Sequence, residues 1–441
     1  MNPFFFKLGI AAITSALSFV SFLRTKSKLG IWLLILILPI YTTKFLGKVG
    51  DIFTIEFSDV LIVAIVLPLF LREMILGKKF GKTISKEISN IFLVFLIYFS
   101  FVFLTIFWTK DVFLTFRQLI IITVFGFLFF VSLLTISRWD RKDLQSTILL
   151  ILLVGLIIII LGIFQVFFPN FSIIQSAQPG FPTGTFTETN WYTEFLILIG
   201  IWSLFTLNSS RKLLKTIGVV NLVFLSVGIY MAKTSTVGII GYLYLVSLFL
   251  VYFLGKSVLK KPVLTISITI LIGLILAFPL RNLCLEFITP LEEISDLIKG
   301  EAEIAKIRLS QFFVSLQLIK ENPFGYGAGT WEPIMKEATD VGYGAFGWVN
   351  GILLEQGMLA FIAWIIFIIS LFIVIFRALI STKAWEVRAA LFSFIWLLIA
   401  GLPHPLYHMN FFWFYMSFSI ATALVMNRVF IKERMKLNSL T

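Results

Sequence analysis

The sequence is poor in charged residues, in cysteine and in histidine. Only 13% of its 441 residues are charged, whereas a soluble domain carries about 25%. Its single cysteine, Cys284, excludes a disulfide within the chain. Hydrophobic residues make up 59% of the chain, and the mean hydropathy is +1.00. Because the few polar residues cannot cover so much apolar surface, the composition predicts an integral membrane protein.

The apolar residues occur in unbroken runs, such as "ILLILLVGLIIIILGIFQVFF" at 148–168. Runs of about 20 residues suit helices that cross a hydrocarbon core of about 30 Å. They do not suit barrel strands, which have about 10 residues of alternating polarity. We therefore predict an all-α fold, a polytopic transmembrane helical bundle of about 12 spans. The predicted spans are 29–46, 52–71, 91–108, 112–137, 146–168, 190–207, 216–232, 236–254, 262–280, 349–376, 389–403 and 409–426.

The net charge of +13 indicates topology rather than a nucleic-acid partner. Seven basic clusters hold 24 of the 36 lysines and arginines. They occur in every second connection between the predicted spans, so all of them fall on the same side of the membrane. The positive-inside rule assigns that side to the cytoplasm, with anionic membrane lipids as the contacts. Residues 1–23 either lie in the interface or add a thirteenth span. The clusters are 24–28, 72–86, 138–142, 211–215, 256–261, 377–388 and 428–436.

This topology divides the chain into three parts. Residues 1–280 form an N-terminal transmembrane bundle, residues 281–348 a large external loop, and residues 349–441 the C-terminal transmembrane helices with a cytoplasmic tail. The polar and glycine-rich segments fall on the external side. Any chemistry is therefore predicted at the external face.

The external loop is predicted to contain amphipathic helices. Thr289 and Pro290 are typical of a helix start, and Gly300 of its end. A second helix is predicted from Glu301 to Lys320, which would lie along the membrane surface and cover part of the protein. Asn322-Pro323 would end that helix. The apolar positions are Ala302, Ala305, Leu309, Phe312, Phe313, Leu316 and Ile319.

Two features of this segment suit an anionic ligand. Arg308 either pairs with a nearby glutamate or grips a phosphate, since a guanidinium binds phosphate bidentately. Gly325, Gly327 and Gly329 either form a flexible loop or let backbone amides converge into an anion-binding nest.

Other polar residues of the external side have structural and functional interpretations. Glu355, just inside a span, is either an ion-pair or packing residue or a functional carboxylate. His404 and His408 are structural, acid–base or glycan-contacting residues, or a metal pair without an evident third ligand. Glu188 and Asn190 either cap a helix or bind substrate.

Two basic residues and one aromatic residue complete this set. Arg117 either snorkels outward or lines a groove for a lipid phosphate. Lys233 lies near Thr236 on one helical face and offers a further positive charge. Trp348 belongs either to the interfacial aromatic belt or to a surface that stacks on sugars.

Three motifs resemble the O-antigen ligase and Wzy-type polymerase superfamily, bacterial membrane proteins that act on lipid-linked glycans. Arg308 and its amphipathic helix precede "ENPFGYGAG" at 321–329. "PTGTFTETNWYTEFL" from Pro182 is similar to the family's Gly-Thr-Phe run, and "LLEQGMLAFIAW" from Leu353 to its Glu-x-Gly segment. The resemblance covers residues 180–370 and extends beyond them only by topology.

The resemblance implies a glycosyltransferase of the external face of the bacterial cytoplasmic membrane. It would polymerise or transfer undecaprenyl-pyrophosphate-linked glycan units onto an acceptor glycan, in O-antigen, capsule or exopolysaccharide assembly, with a chain-length regulator as a further partner. Transfer would be inverting, and neither a metal nor a cofactor is implied. The catalytic candidates are Arg308, Glu355, His404 and His408. The substrate-binding candidates are Lys233, Arg117, Gly325, Gly327, Gly329, Asn190, Glu188 and Trp348.

The sequence departs from the family's ligases, which usually have a His-Asn pair where this chain has "YGAFGWVN". A second arginine of the family is also missing. These departures favour a polymerase over a ligase that moves the glycan to a lipid A core or another acceptor. A lipid-linked glycan transporter and a non-catalytic assembly component remain alternatives.

Overall fold

A computed structural model describes the chain from residue 28 to residue 439 with gaps. The predicted N-terminal segment at 1–23, the span at 262–280 and the loop helix at 289–300 lie outside the described residues. The division at 280 and 348 stays a prediction. The described residues are 28–39, 44–49, 53–76, 86–168, 182–186, 188–232, 236–254, 310–339, 347–402 and 406–439.

The described residues are helical apart from one short hairpin, two 3₁₀ turns and the connections, so the all-helical class is confirmed. The strands are β1 (Lys44–Val49) and β2 (Phe53–Glu56). The helices are α1 (Lys28–Ile37), α2 (Phe57–Leu76), α3 (Lys86–Leu104), α4 (Val112–Ile136), α5 (Arg141–Phe167), α6 (Thr189–Thr206), α7 (Lys212–Met231), α8 (Thr236–Leu254), α9 (310–321), α10 (Trp331–Thr339), α11 (Trp348–Thr382), α12 (Trp385–Ala400) and α13 (Asn410–Asn438).

Six helices of the described part are long and apolar enough to cross a membrane. This confirms the prediction of a membrane protein with transmembrane helices, while the number of about 12 spans stays a prediction. The six candidates are Lys86–Phe107, Val112–Ile136, Arg141–Phe167, Lys212–Ile229, Trp348–Thr382 and Asn410–Asn438.

The first two predicted spans have the wrong boundaries. The span at 29–46 combines the ten-residue helix α1 with the start of β1. The span at 52–71 contains β2 before α2 begins. The strands pair antiparallel, with Lys44 opposite Glu56. The glycine-aspartate pair between them in sequence is a hairpin signal, which hydropathy alone does not register.

The chain forms two compact units. Unit 1 comprises residues 1–147 and 307–441, and unit 2 residues 148–306. In unit 1, α4 packs on α13, and α11 packs on both α3 and α13. Aromatic rings fill these interfaces, with Trp364 and Trp413 at 5.6 Å and Phe95 and Phe367 at 5.6 Å between ring centroids.

Unit 2 is built around α6, which packs against α7 and α8. Every residue of α6 from Tyr192 to Thr206 is buried, as expected for a helix that is apolar on all sides. Asn221 of α7 donates its side-chain amide to the carbonyl oxygen of Leu152 on α5 at 2.9 Å. This bond fixes α7 to α5.

One end of unit 1 carries an ion pair between a partly exposed arginine and a buried carboxylate. Arg141 holds the Glu386 carboxylate with two bonds, Nε to Oε1 at 2.9 Å and Nη2 to Oε2 at 3.3 Å. Gln145 adds a third bond at 2.9 Å, and the Glu386 side chain is fully buried. Arg428 donates to the carbonyl oxygen of Trp139 nearby. The basic clusters at 138–142, 377–388 and 428–436 therefore meet at one end of the unit.

Replacing Arg141 by glutamine is expected to lower the free energy of unfolding by about 2 kcal/mol, because a buried carboxylate loses its charged partner. Heat or denaturant unfolding in detergent measures the change. The control is Lys142→Gln at an exposed neighbouring position, with an effect below about 0.5 kcal/mol. Equal effects of the two variants would contradict a stabilising pair.

The second loop helix is confirmed where it is described, at 310–321, and it ends before Pro323. The two sides of this helix differ in exposure. Gln311, Ser315 and Ile319 are buried, whereas Phe312 and Phe313 are exposed. A helix at a membrane surface places its large apolar side chains towards lipid.

Candidate functional site

The glycine loop, residues 323–330, connects α9 to α10 and lies against α4 and α11. Its three glycines have positive φ angles, and those of Gly325 and Gly327 are +81° and +113°. A Cβ on Gly327 would overlap the side chain of Thr109, and one on Gly325 would lie 2.6 Å from the carbonyl oxygen of Glu355. Both the backbone conformation and the close packing therefore require glycine.

Helix α11 is interrupted at Gly357, where φ is +81° and ψ is 177°. Such a break leaves backbone groups without partners in the helix, which is costly in apolar surroundings. The glycine loop supplies these partners. Three bonds join the two segments: Tyr326 N to Leu354 O at 2.9 Å, Gly327 N to Glu355 O at 2.8 Å, and Met358 N to Pro323 O at 2.8 Å.

Four consecutive amides of the glycine loop, those of residues 325–328, donate within the protein. The Gly325 amide donates to the Asn322 carbonyl oxygen at 3.0 Å, and the Ala328 amide to the Thr105 hydroxyl at 3.3 Å. Together with the amides of Tyr326 and Gly327, they have acceptors in the chain. An anion-binding nest would require them to change partners, so the loop's evident role is to hold α11.

Glu355 is fully buried beside the break in α11. Its Oε1 accepts a long hydrogen bond of 3.4 Å from the amide of Trp331, the first residue of α10. A carboxylate at a helix N-terminus is stabilised by the helix dipole and by the amides that lack intrahelical partners. This contact explains how a carboxylate is accommodated at a buried position.

A second polar group joins α4 to the turn before α13. Nε2 of Gln118 lies 3.0 Å from Nδ1 of His408, in the 3₁₀ turn Leu406–His408. Because an amide nitrogen can only donate, Nδ1 accepts and a neutral ring carries its proton on Nε2. Removal of the ring from water, and then the charge of Arg117, lower the pKa of His408 to about 4. His408 is therefore neutral at pH 7.

The same glutamine connects this group with the glycine loop. A Cβ on Gly329, whose φ is +78°, would lie 3.0 Å from Cβ of Gln118. The structure thus brings together six of the predicted site residues in unit 1, although their contact with a substrate stays a prediction. They are Arg117, Gly325, Gly327, Gly329, Glu355 and His408.

The low pKa of His408 predicts a loss of stability in mild acid. Between pH 6.5 and pH 4 the unfolded chain binds a proton at this ring and the folded chain does not. The free energy of unfolding therefore decreases as the pH is lowered through this range. His408→Gln is expected to reduce the loss between pH 6.5 and pH 5, measured by thermal unfolding in detergent. His404→Gln, which changes the other histidine, should retain the loss. Equal losses in wild type and His408→Gln would contradict a neutral ring.

Sequence reasoning missed a polar contact behind Glu355. Tyr98 of α3 donates its hydroxyl to Oε1 of Gln356 at 3.0 Å, in the buried interface with α11. Within the described residues, Nε2 of Gln356 and Nε1 of Trp364 have no hydrogen-bond partner. The position of Gln356 next to Glu355 in "EQG" was a sequence signal for a polar residue at this site. Tyr98 is identified only by the packing of α3 on α11.

Trp348 connects the start of α11 to the end of α12. Its amide donates to the carbonyl oxygen of Gly401 at 2.9 Å, and its indole Nε1 to that of Leu398 at 3.1 Å. These contacts give Trp348 a structural role. Its predicted contact with a sugar is not tested by them.

In unit 2, the Gly-Thr-Phe motif is held by Gln165 of α5. Oε1 of Gln165 accepts from the amides of Thr183 and Gly184, at 3.0 and 2.8 Å. Glu188 precedes α6 at the N-cap position, but its side chain makes no capping bond. The capping interpretation is therefore wrong for Glu188, while Asn190 lies in the first turn of α6.

The remaining predicted site residues, Arg308, Lys233 and His404, lie outside the described residues. In the part of the chain that is described, no three histidine, cysteine, aspartate or glutamate side chains are grouped to hold a metal ion. Comparison with known proteins finds no family model that matches the chain and no curated protein that is similar to it.

Proposed function

We propose that this chain is a glycosyltransferase that polymerises undecaprenyl-pyrophosphate-linked glycan units at the external face of the bacterial cytoplasmic membrane. In this proposal the chain has 12 spans, or 13 if residues 1–23 cross, and a large external loop. The observation that carries it is the polar group around Glu355 and His408.

The position of this group within unit 1 supports an external site. It lies where α4 begins, whereas the Arg141–Glu386 pair lies beyond the end of α4, at the start of α5 and α12. The positive-inside rule assigns the basic end to the cytoplasm. The group around Glu355 then belongs to the external side.

The length of α11 also supports a position of Glu355 near the external surface of the membrane. Residues 358–382 follow the break and are helical. At 1.5 Å per residue they extend about 38 Å, enough to cross a hydrocarbon core of about 30 Å. Glu355 precedes this segment, so its carboxylate is proposed to lie at the level where lipid headgroups begin.

The proposed reaction needs a base and a group that stabilises the leaving pyrophosphate. The oxygen of an acceptor hydroxyl attacks the anomeric carbon, and the bond from that carbon to the pyrophosphate breaks. The hydroxyl proton passes to the Glu355 carboxylate. Arg308 and Arg117 are proposed to stabilise the negative charge of the pyrophosphate, which leaves on its lipid.

A second candidate is a lipid-linked glycan transporter. The break in α11 favours it, because transporters use discontinuous helices near their substrates. In this chain, however, the glycine loop pairs with the broken backbone, so its carbonyls are not directed at a ligand. The enzyme remains the better-supported candidate.

The test is a gel ladder of surface and lipid-linked glycans from the host strain, a null mutant and the complemented null mutant. A polymerase predicts that the null mutant keeps only single repeat units on its surface. Long chains that stay on the polyprenyl carrier would indicate a ligase. Repeat units accumulating on the cytoplasmic face would indicate the transporter, and an unchanged ladder would contradict all three.

A further inference from the structure

Helix α9 has an outward apolar face. Phe312, Phe313 and Leu316 are 41%, 60% and 41% exposed, while Gln311 and Ser315 of the opposite face are 2% and 0% exposed. In water the phenylalanines would be buried and the polar residues exposed. The reversed pattern indicates that the outer face of α9 contacts an apolar medium.

Neighbouring loops extend this surface. Phe324 of the glycine loop is 61% exposed, and Phe107 and Trp108 after α3 are 74% and 42% exposed. The indole Nε1 of Trp108 donates to the Phe324 carbonyl oxygen at 3.2 Å, and the two rings lie edge to face at 6.3 Å. We name these side chains the aromatic shoulder: Phe107, Trp108, Phe312, Phe313, Leu316 and Phe324.

The aromatic shoulder is continuous with a candidate span. Phe107 ends the segment Lys86–Phe107, whose most apolar window is only 28% buried within the chain. Phe103 and Leu104, one turn earlier, are 48% and 41% exposed. The shoulder therefore extends the lipid-facing surface of α3 to its end.

Charged side chains also lie beside the glycine loop. Nζ of Lys110 lies 3.1 Å from Oε2 of Glu337, and both side chains are more than half exposed. Lys110 also lies over the ring of Tyr326, 5.6 Å from its centroid. An apolar side followed by an exposed ion pair is the arrangement expected at a membrane–water boundary, where tryptophan is enriched.

We propose that the aromatic shoulder inserts into the boundary between lipid headgroups and acyl chains and anchors α9 there. The occupant is the bilayer itself, because the surface continues from a span, and the one charged side chain on this face of α9, the exposed Lys320, can extend its ammonium group to the lipid headgroups. The insertion fixes the depth of the glycine loop, which follows α9 directly, and through it the depth of the break in α11. This inference does not depend on the reaction that the site performs.

The chain's single cysteine makes the inference testable. In a Cys284→Ser background, Phe313→Cys, Leu316→Cys and, as the control, Glu337→Cys each receive a nitroxide label. The proteins are reconstituted in vesicles of phosphatidylcholine and phosphatidylglycerol. Power-saturation spectroscopy compares collisions with oxygen, which concentrates in lipid, and with a water-soluble nickel chelate.

We expect oxygen collisions to exceed nickel collisions severalfold at residues 313 and 316, with the reverse at residue 337. Greater access of nickel at 313 and 316, equal to that at 337, would overturn the proposal. Spin–spin broadening that disappears when unlabelled protein is mixed in would indicate a second copy on this face, and would also overturn it.

Discussion

Replacing Gly357 by alanine is expected to lower the free energy of unfolding by about 3 kcal/mol, because it affects both backbone and packing. The φ of +81° and ψ of 177° belong to a region that is essentially restricted to glycine. A Cβ there would also lie 2.8 Å from the Pro323 carbonyl oxygen and still closer to the backbone of Phe324. The glycine loop would have to leave α11, and its hydrogen bonds would be lost.

The matched control is Gly228→Ala in α7. Its backbone is helical, and the new Cβ would meet only side-chain atoms, at 3.1 Å from Leu196 and from Tyr192. Helix propensity favours alanine there by up to about 1 kcal/mol, so this variant should lose much less stability than Gly357→Ala. Thermal unfolding in detergent measures both. If Gly357→Ala were as stable as Gly228→Ala, the contact between the glycine loop and α11 would not depend on the backbone conformation of Gly357.

Glu355→Gln is expected to reduce glycan assembly by about 100-fold or more, the usual contribution of a general base. The amide has the shape of the carboxylate, and its oxygen still accepts from the Trp331 amide, so stability should change by less than about 1 kcal/mol. The ladder of the complemented null mutant measures assembly. Unfolding of the purified variant measures stability.

Two further variants separate catalysis from structure. Glu355→Ala removes the acceptor at the start of α10 and should lose both stability and assembly. Glu332→Gln, at an exposed position of α10, should affect neither. If Glu355→Gln assembles glycan normally while Glu355→Ala unfolds, Glu355 is a packing residue and not the base.

The sequence predicted the class of the fold because hydropathy is a local property. Runs such as 112–137 and 349–376 correspond closely to α4 and α11. Hydropathy did not predict the β1–β2 hairpin, because the sequence signal of a hairpin lies in its turn residues. It also left open what the apolar face of α9 contacts, since apolarity does not distinguish lipid from protein as the partner of Phe313.

The candidate site was predictable only as a set of residue types. Glu355, His408 and the glycines attracted notice because a charge in a span, rare histidines and clustered glycines are each unusual. Their proximity depends on Gln118 and on the break at Gly357, which are effects of tertiary packing. The pairing of the glycine loop with α11 involves backbone groups, which leave no mark in the sequence beyond the glycines.

The most direct test of the central claim is reconstitution of the purified protein in vesicles with an undecaprenyl-pyrophosphate-linked oligosaccharide from its host. We predict that wild type lengthens the lipid-linked glycan and releases undecaprenyl pyrophosphate, whereas Arg308→Ala does neither. Mass spectrometry of the extracted lipids resolves substrate from product. A folded wild-type protein that leaves the oligosaccharide chemically unchanged would contradict the claim.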